Sequence, residues 1–281
     1  MINVIGLGNA GCAIAELLGE YPPYKIFKVD VGIPKAKNNF SITKRNSPEE
    51  YESKFPERVI NALKKIEGRA VLIVAGGGKI SSASLRILEA VQHVPTEVVY
   101  IRPDRSSISK SAMTMDNVTF NVFQEYARSG VIERLLLLSN SSVEEGVGNI
   151  PVAHYYPRLN SIIASTYHMT NVYSNSDAVF ASPIDESGIC RIGTLGIGTM
   201  ANVTDRLFFP LDYISEKTYF FAINEKQLDE DAALLGRIKL RVKQDDTTIK
   251  AGFGVYATPY EENYIYLLTN TKIIQGVNYD E

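Results

Sequence analysis

The chain has 281 residues, of which 45% are hydrophobic and 22% charged, with a formal net charge of −3. That apolar share fills one large or two modest domain cores, and the charge content is too low for a disordered chain. There is no long basic run, which argues against nucleic acid as a direct partner. Two cysteines, Cys12 and Cys190, and three histidines argue against a disulfide scaffold or a structural zinc site. The first residues, MINVIGLGNAG, read as a strand and a loop rather than a signal peptide, and no stretch approaches the ~20 apolar residues that span a bilayer. The expectation is a cytoplasmic protein without membrane contact.

In chain order, INVI at 2–5 predicts a strand, GLGNAG a glycine-rich turn, and AIAELL a helix. KIFKVD at 25–30 predicts a second strand, and 32–48, with Gly32, Pro34 and Pro48 among polar residues, a loop. Ser47 is a candidate N-cap with Pro48, Glu49 and Glu50 in the first turn of a helix running toward Lys65. AVLIV at 70–74 has the continuous apolar character of a strand at the centre of a parallel sheet. Then come Gly76–Gly77–Gly78, a helix through SASLRILEAV, a strand at 97–101, a helix over 111–128 and a strand at 135–139. Residues 141–152 read as a loop and 153–173 as a long helix with Pro157 in its first turn. Strands alternating with helices predict parallel βαβ units, whose right-handed crossovers bring both glycine-rich loops to one edge of the sheet. After residue 176 the pattern changes. CRIGTLGIG, TYFFAIN, a helix over LDEDAALLGRIKL, TIKAGFGVYAT and NYIYLLTNTK predict a smaller mixed-sheet α/β unit, its last two strands adjacent and antiparallel.

Gly6, Gly8 and Gly11 form GxGxxG between a strand and a helix. Glycine lets backbone approach a phosphate closely, and free amides at a helix N-terminus attract an anion. Asn9 and Cys12 share this loop and are candidate contacts. Asp30, 22 residues after Gly8, has the spacing of a ribose-binding carboxylate, so a nicotinamide dinucleotide and an oxidoreductase remain open at this point. The second loop, Gly76, Gly77 and Gly78 followed by Lys79, Ser81 and Ser82, offers another nest of amides together with hydroxyls and an ammonium.

Taken in order, these segments resemble the tubulin/FtsZ superfamily, and most of all its divergent bacteriophage and plasmid members. Its second loop reads GGGTGSG or GGGTGTG, where this chain has GGGKISS at 76–82. VVYIRP at 98–103, LLLLSN at 135–140 and GTLGIGTM at 193–200 are similar to later strands of that family. Tyr156-Pro-Arg-Leu-Asn160 resembles the start of its central helix, where the Tyr stacks on guanine and the Asn hydrogen-bonds to it. An i, i+4 pair lies on one helix face, as that role needs.

The resemblance implies a Rossmann-like parallel-sheet nucleotide-binding unit over 1–152, a central helix over 153–176 and a C-terminal activation-type unit over 177–281. It implies GTP or GDP as ligand, with Mg2+ as the accompanying ion. The partner it implies is a second copy, added head to tail into a filament, with a DNA-binding adaptor or viral cargo beyond it. Hydrolysis in the family uses carboxylates of the loop after the central helix, inserted near the neighbour's γ-phosphate. SPIDESG places Asp185 and Glu186 in that region, but Gly188 stands where a second acid belongs, and the following helix is shortened. Weak hydrolysis is therefore expected, with a non-hydrolysing structural or adaptor protein as the alternative.

Overall fold

The computed structural model describes all residues except 149, 186, 201–204, 244–247 and 277–281. β1 (Ile2–Leu7) enters α1 (Gly8–Leu18) with no intervening loop residue; β2 (Tyr24–Val31) and β3 (Asn39–Ile42) follow. α2 (Pro48–Ser53) and α3 (Glu57–Leu63) lead to β4 (Arg69–Ala75). A 3-10 turn over Lys79–Ala83 runs into α4 (Ser84–Val91), then come β5 (Thr96–Arg102), α5 (Lys110–Ser129), β6 (Arg134–Ser139) and α6 (Asn140–Val147). α7 (Tyr155–Ser174) is the central helix. Beyond it lie β7 (Phe180–Ser182), β8 (Ile192–Gly198), β9 (Arg206–Leu207), β10 (Glu216–Asn224), α8 (Glu225–Glu230), α9 (Leu234–Lys243), β11 (Lys250–Thr258) and β12 (Tyr264–Thr271).

Among the described residues the strands form one sheet in the order β3-β2-β1-β4-β5-β6-β8-β12-β10-β11-β7, with β9 beside β8. From β3 to β6 every pairing is parallel, as the strand–helix alternation predicts. Parallel strands must be covered on both faces, and β4 shows how. Ala70, Leu72 and Val74 pack with α2, α3, α4 and α5, while Val71 and Ile73 pack with α1 and α7. The mixed part of the sheet carries α9 on one face, through Leu234, Ile238 and Val242, and the end of α7 on the other, through Tyr173. It joins the parallel part by a short parallel pairing of Leu135 and Leu136 with Ile192 and Gly193.

Several expectations need correction. The last two strands are not adjacent: β10 lies between them, parallel to β11 and antiparallel to β12. The segment 32–48 contains edge strand β3, and 141–152 contains α6. The helix predicted from Ser47 to Lys65 is two helices, because Pro56, lacking an amide hydrogen, caps the second. Ser47 is the N-cap of the first, accepting a hydrogen bond from the Glu50 amide at 3.3 Å. The helix predicted at 228–240 divides into α8 and α9.

Candidate functional site

Because β1, β4, β5 and β6 are parallel neighbours, the residues that follow them share one edge of the sheet. The first loop and the start of α1 are folded tightly onto that edge. A Cβ on Gly6 would lie 2.4 Å from the Gly11 carbonyl oxygen, and one on Gly11 would lie 2.3 Å from that of Ile73. No other residue fits at either place. Gly8 has φ +72°, a conformation glycine adopts at little cost. No side chain caps α1 and no acid stands in its first turn, so its leading amides and the positive end of its dipole are available to an anion. Asn9 is exposed there. Cys12 is different: its buried thiol donates to the Gly6 carbonyl at 3.3 Å, and burial, reinforced by Asp30, raises its pKa to about 12. Its side chain is a packing group, so any ligand contact comes through its backbone.

The second loop sits beside the first, Val74 being in register with Leu7. The Gly76 amide donates to the Ile101 carbonyl at 2.9 Å, and Gly77 has φ +78°. Beneath Gly76 lies a fully buried carboxylate, Asp116. It accepts from Tyr100 Oη at 2.7 Å and from Arg102 Nε and Nη2 at 3.0 and 2.8 Å. A Cβ on Gly76 would meet Asp116 Oδ1 at 2.1 Å. Gly78 precedes the 3-10 turn. Ser81 is buried, its hydroxyl donating to the Gly78 carbonyl at 2.6 Å, and that of Ser82 donates to the Pro48 carbonyl at 2.6 Å. Lys79 Nζ donates to the Asn46 carbonyl at 2.7 Å.

α7 brings a third group to this edge. Near its end, His168 stacks on Tyr21 at 3.7 Å and bonds to Tyr24 Oη at 3.2 Å, and Tyr24 opens β2 at the opposite edge. The N-terminal turn of α7 therefore rises toward the glycine-rich loops. Leu159 there is buried in the core, Asn160 is half-buried and the Tyr156 ring is 63% exposed. Tyr156 meets Tyr155 edge-on at 5.1 Å, and Tyr155 Oη donates to Glu144 Oε2 at 2.8 Å. Tyr156 is thus an exposed aromatic ring beside the loops, of the kind on which a planar base can stack.

Asp185 lies elsewhere. Ser187, two residues on, donates its amide and hydroxyl to Glu216 Oε1 at 2.9 and 2.7 Å, and Glu216 opens β10 at the edge opposite the loops. Asp185 is exposed, and Glu186 falls outside the described residues. No helix is found between Ser174 and Ile192 among the described residues; β7 lies there instead, paired antiparallel with β11. A further candidate acid precedes Asp185. Asp177 is exposed and is the first acid after α7, eight positions nearer the helix than Asp185. The signal that could have found it is the run Ser174-Asn175-Ser176, where side chains of Asn175 and Ser176 bond back to Asn171 and Val172 carbonyls and close the helix.

No family model and no curated protein matches the sequence. Solved structures do match in fold. CetZ from Methanosaeta thermophila is 13% identical with a TM-score of 0.73, covering 97% of this chain and 86% of that one. TubZ of Bacillus thuringiensis serovar israelensis, in a GTPγS-form protofilament, is 15% identical with a TM-score of 0.72, covering 96% and 86%. An empty FtsZ dimer from M. jannaschii is 15% identical with a TM-score of 0.69, covering 99% and 88%. The chain has the tubulin/FtsZ fold over nearly its whole length.

Proposed function

We propose that this chain is a guanine-nucleotide-binding protein that assembles head to tail into filaments, a tubulin/FtsZ-type protein of the bacteriophage or plasmid kind. Residues 1–152 hold the nucleotide, 153–176 form the connecting helix and 177–281 form the activation unit. The observation that carries this reading is the convergence on one sheet edge of two glycine-rich loops, with positive φ at Gly8 and Gly77, and the start of α7 with Tyr156 and Asn160. The uncapped α1 N-terminus and the Gly6–Gly11 contacts suit a phosphate, and the exposed Tyr156 ring suits a purine. In this reading Gly6, Gly8, Asn9, Gly11 and the Cys12 backbone line the phosphates together with 76–79 and Ser81.

Asp185 and Asp177 lie toward the opposite edge, so each would act on the nucleotide of the next subunit, orienting the attacking water. A heterologous contact of this kind extends without closing, and filaments follow. TubZ, solved as protofilaments and as a four-stranded filament, shares the fold. Cytoplasm is the compartment proposed, and a DNA-binding adaptor or viral cargo the outer partner. A second reading, a non-hydrolysing structural protein, is favoured by one observation: β7 takes the place of a helix after α7.

The test is chromatography of the nucleotide released on denaturing the purified chain, with light scattering after adding GTP. Released GDP or GTP, and scattering that rises with GTP, is the expected result. A released nicotinamide dinucleotide, or no nucleotide and no GTP-dependent scattering, would overturn the proposal. Assembly with GTP bound but no phosphate released would support the structural reading.

A further inference from the structure

The second glycine-rich loop carries a cation in the middle of its signature, and its side chain spans two loops. Lys79 Nζ reaches the carbonyl of Asn46, in the connection that follows β3, although β3 stands three strands away from β4 in the sheet. Ser82 makes a parallel bond to the Pro48 carbonyl. The loops after β3 and β4 therefore meet above the ends of β2 and β1, close to the start of α1. A Cβ on Gly8 would lie 3.0 Å from the Ile80 side chain, which shows how near the second loop comes to the first.

The charges here are one-sided. Residues 43–47 read TKRNS and residues 76–82 read GGGKISS, with three cations and no acid. The acids around this corner already have partners: Asp116 beneath Gly76 is held by Tyr100 and Arg102, Asp30 at the end of β2 accepts from the Val31 amide at 2.7 Å, and Glu49 and Glu50 stand on the first turn of α2. Glu50 is engaged by Lys54 Nζ at 2.6 Å and by the Asn46 amide at 3.1 Å. Glu49 is held by its hydrogen bond with Ser47, which lowers its pKa. Mg2+ in a phosphate site ordinarily takes one or two protein carboxylates besides the phosphates and water. Neither residues 43–47 nor residues 76–82 offer a carboxylate. The residues present do not fit an Mg2+-centred site. They fit a lysine-centred one, because an ammonium with three donors spends one on Asn46 and keeps two.

We propose that Lys79, and not a divalent cation, neutralises the terminal phosphate of the bound nucleoside triphosphate. In this proposal Lys79 leaves the Asn46 carbonyl, or shares its donors with it, when a triphosphate occupies the cradle. Lys44 and Arg45 add long-range positive charge to the same corner. A diphosphate, which lacks the group Lys79 reaches, binds without its help, so the loop discriminates triphosphate from diphosphate by charge. The inference rests on the guanine-nucleotide reading above and assigns the residue that reads the phosphate count.

The experiment is calorimetric titration of GTP and of GDP into the nucleotide-stripped full chain, the native protein against Lys79→Ala and Lys79→Arg, each in excess Mg2+ and in EDTA. Thermal melts confirm that the variants are folded. Native GTP affinity should change by less than about threefold on removing Mg2+, whereas Lys79→Ala should lose roughly tenfold or more for GTP and less than about threefold for GDP. Lys79→Arg should keep most of the GTP affinity. Loss of native GTP binding in EDTA, or a Lys79→Ala chain that binds GTP as the native one does, would overturn the proposal and leave the nucleotide reading standing. If the native chain bound neither GTP nor GDP in either buffer, both would fall together.

Discussion

Asp116 is the residue whose removal should be felt most. Its carboxylate has no solvent exposure and lies against the Arg102 guanidinium, whose side chain is 9% exposed, with two hydrogen bonds between them. The guanidinium also lies over the Phe120 ring at 4.2 Å. The Tyr100 hydroxyl donates to Oδ1, and burial together with the adjacent carboxylate raises the pKa of that phenol well above its usual value. Asp116→Ala would leave a buried cation without its partner, which costs about 3–5 kcal/mol. For domains of 150–250 residues that corresponds to a melting temperature lower by roughly 6–20 °C. Tyr100→Phe removes one hydrogen bond and leaves the ion pair, so it should cost about 1 kcal/mol. The double variant Arg102→Met/Asp116→Leu removes both charges and should recover most of the loss. Circular dichroism melts and urea titrations of the four chains read all of this. A loss within about 1 kcal/mol for Asp116→Ala, or a double variant as unstable as the single one, would refute the reasoning.

Three further outcomes are expected. Asn160→Ala should weaken GTP binding by about 1–3 kcal/mol if the amide pairs with the base, and an unchanged calorimetric affinity would remove it from the site. Asp177→Ala and Asp185→Ala should each assemble with GTP; the variant whose phosphate release per subunit falls identifies the carboxylate acting in trans, and two variants with native turnover would exclude both. His168 gives a pH dependence. Burial lowers its pKa below the usual 6.5, so the unfolded chain takes up the proton first. Its contribution is complete above pH 6.5 and is lost as pH falls through the lowered folded value. Native protein should therefore lose more melting temperature than His168→Phe between about pH 7.5 and 5.5, and equal losses would show that His168 is not responsible.

Much of the N-terminal half is legible because its signals are local. The glycines at 6, 8 and 11 sit where a strand must turn at once into a helix, and Ser47-Pro48-Glu49-Glu50 marks a helix start by capping chemistry alone. The apolar run at 70–74 needs both faces covered, which only a central strand supplies. These segments state their conformation in a few consecutive residues, and the right-handed crossover then carries both loops to one edge.

What the sequence by itself determined was the βαβ half, its two loops and the helix that bears Tyr156 and Asn160. Tertiary structure alone decided that β10 separates β11 from β12, since pairing order depends on which strands bury their faces together and leaves no mark on strand composition. It also decided the short strands β3 and β7, whose three or four residues have too little periodicity to read and are held in place by β2 and β11. The same holds for the contacts around the second loop. Asp116 reads as a polar residue on a helix until Tyr100 and Arg102 enclose it beneath Gly76. Lys79 and Asn46 are 33 positions apart and meet because β3 and β4 end at the same edge. Contacts between residues distant in the chain are made by the packing of the elements that carry them, and no local pattern encodes that packing.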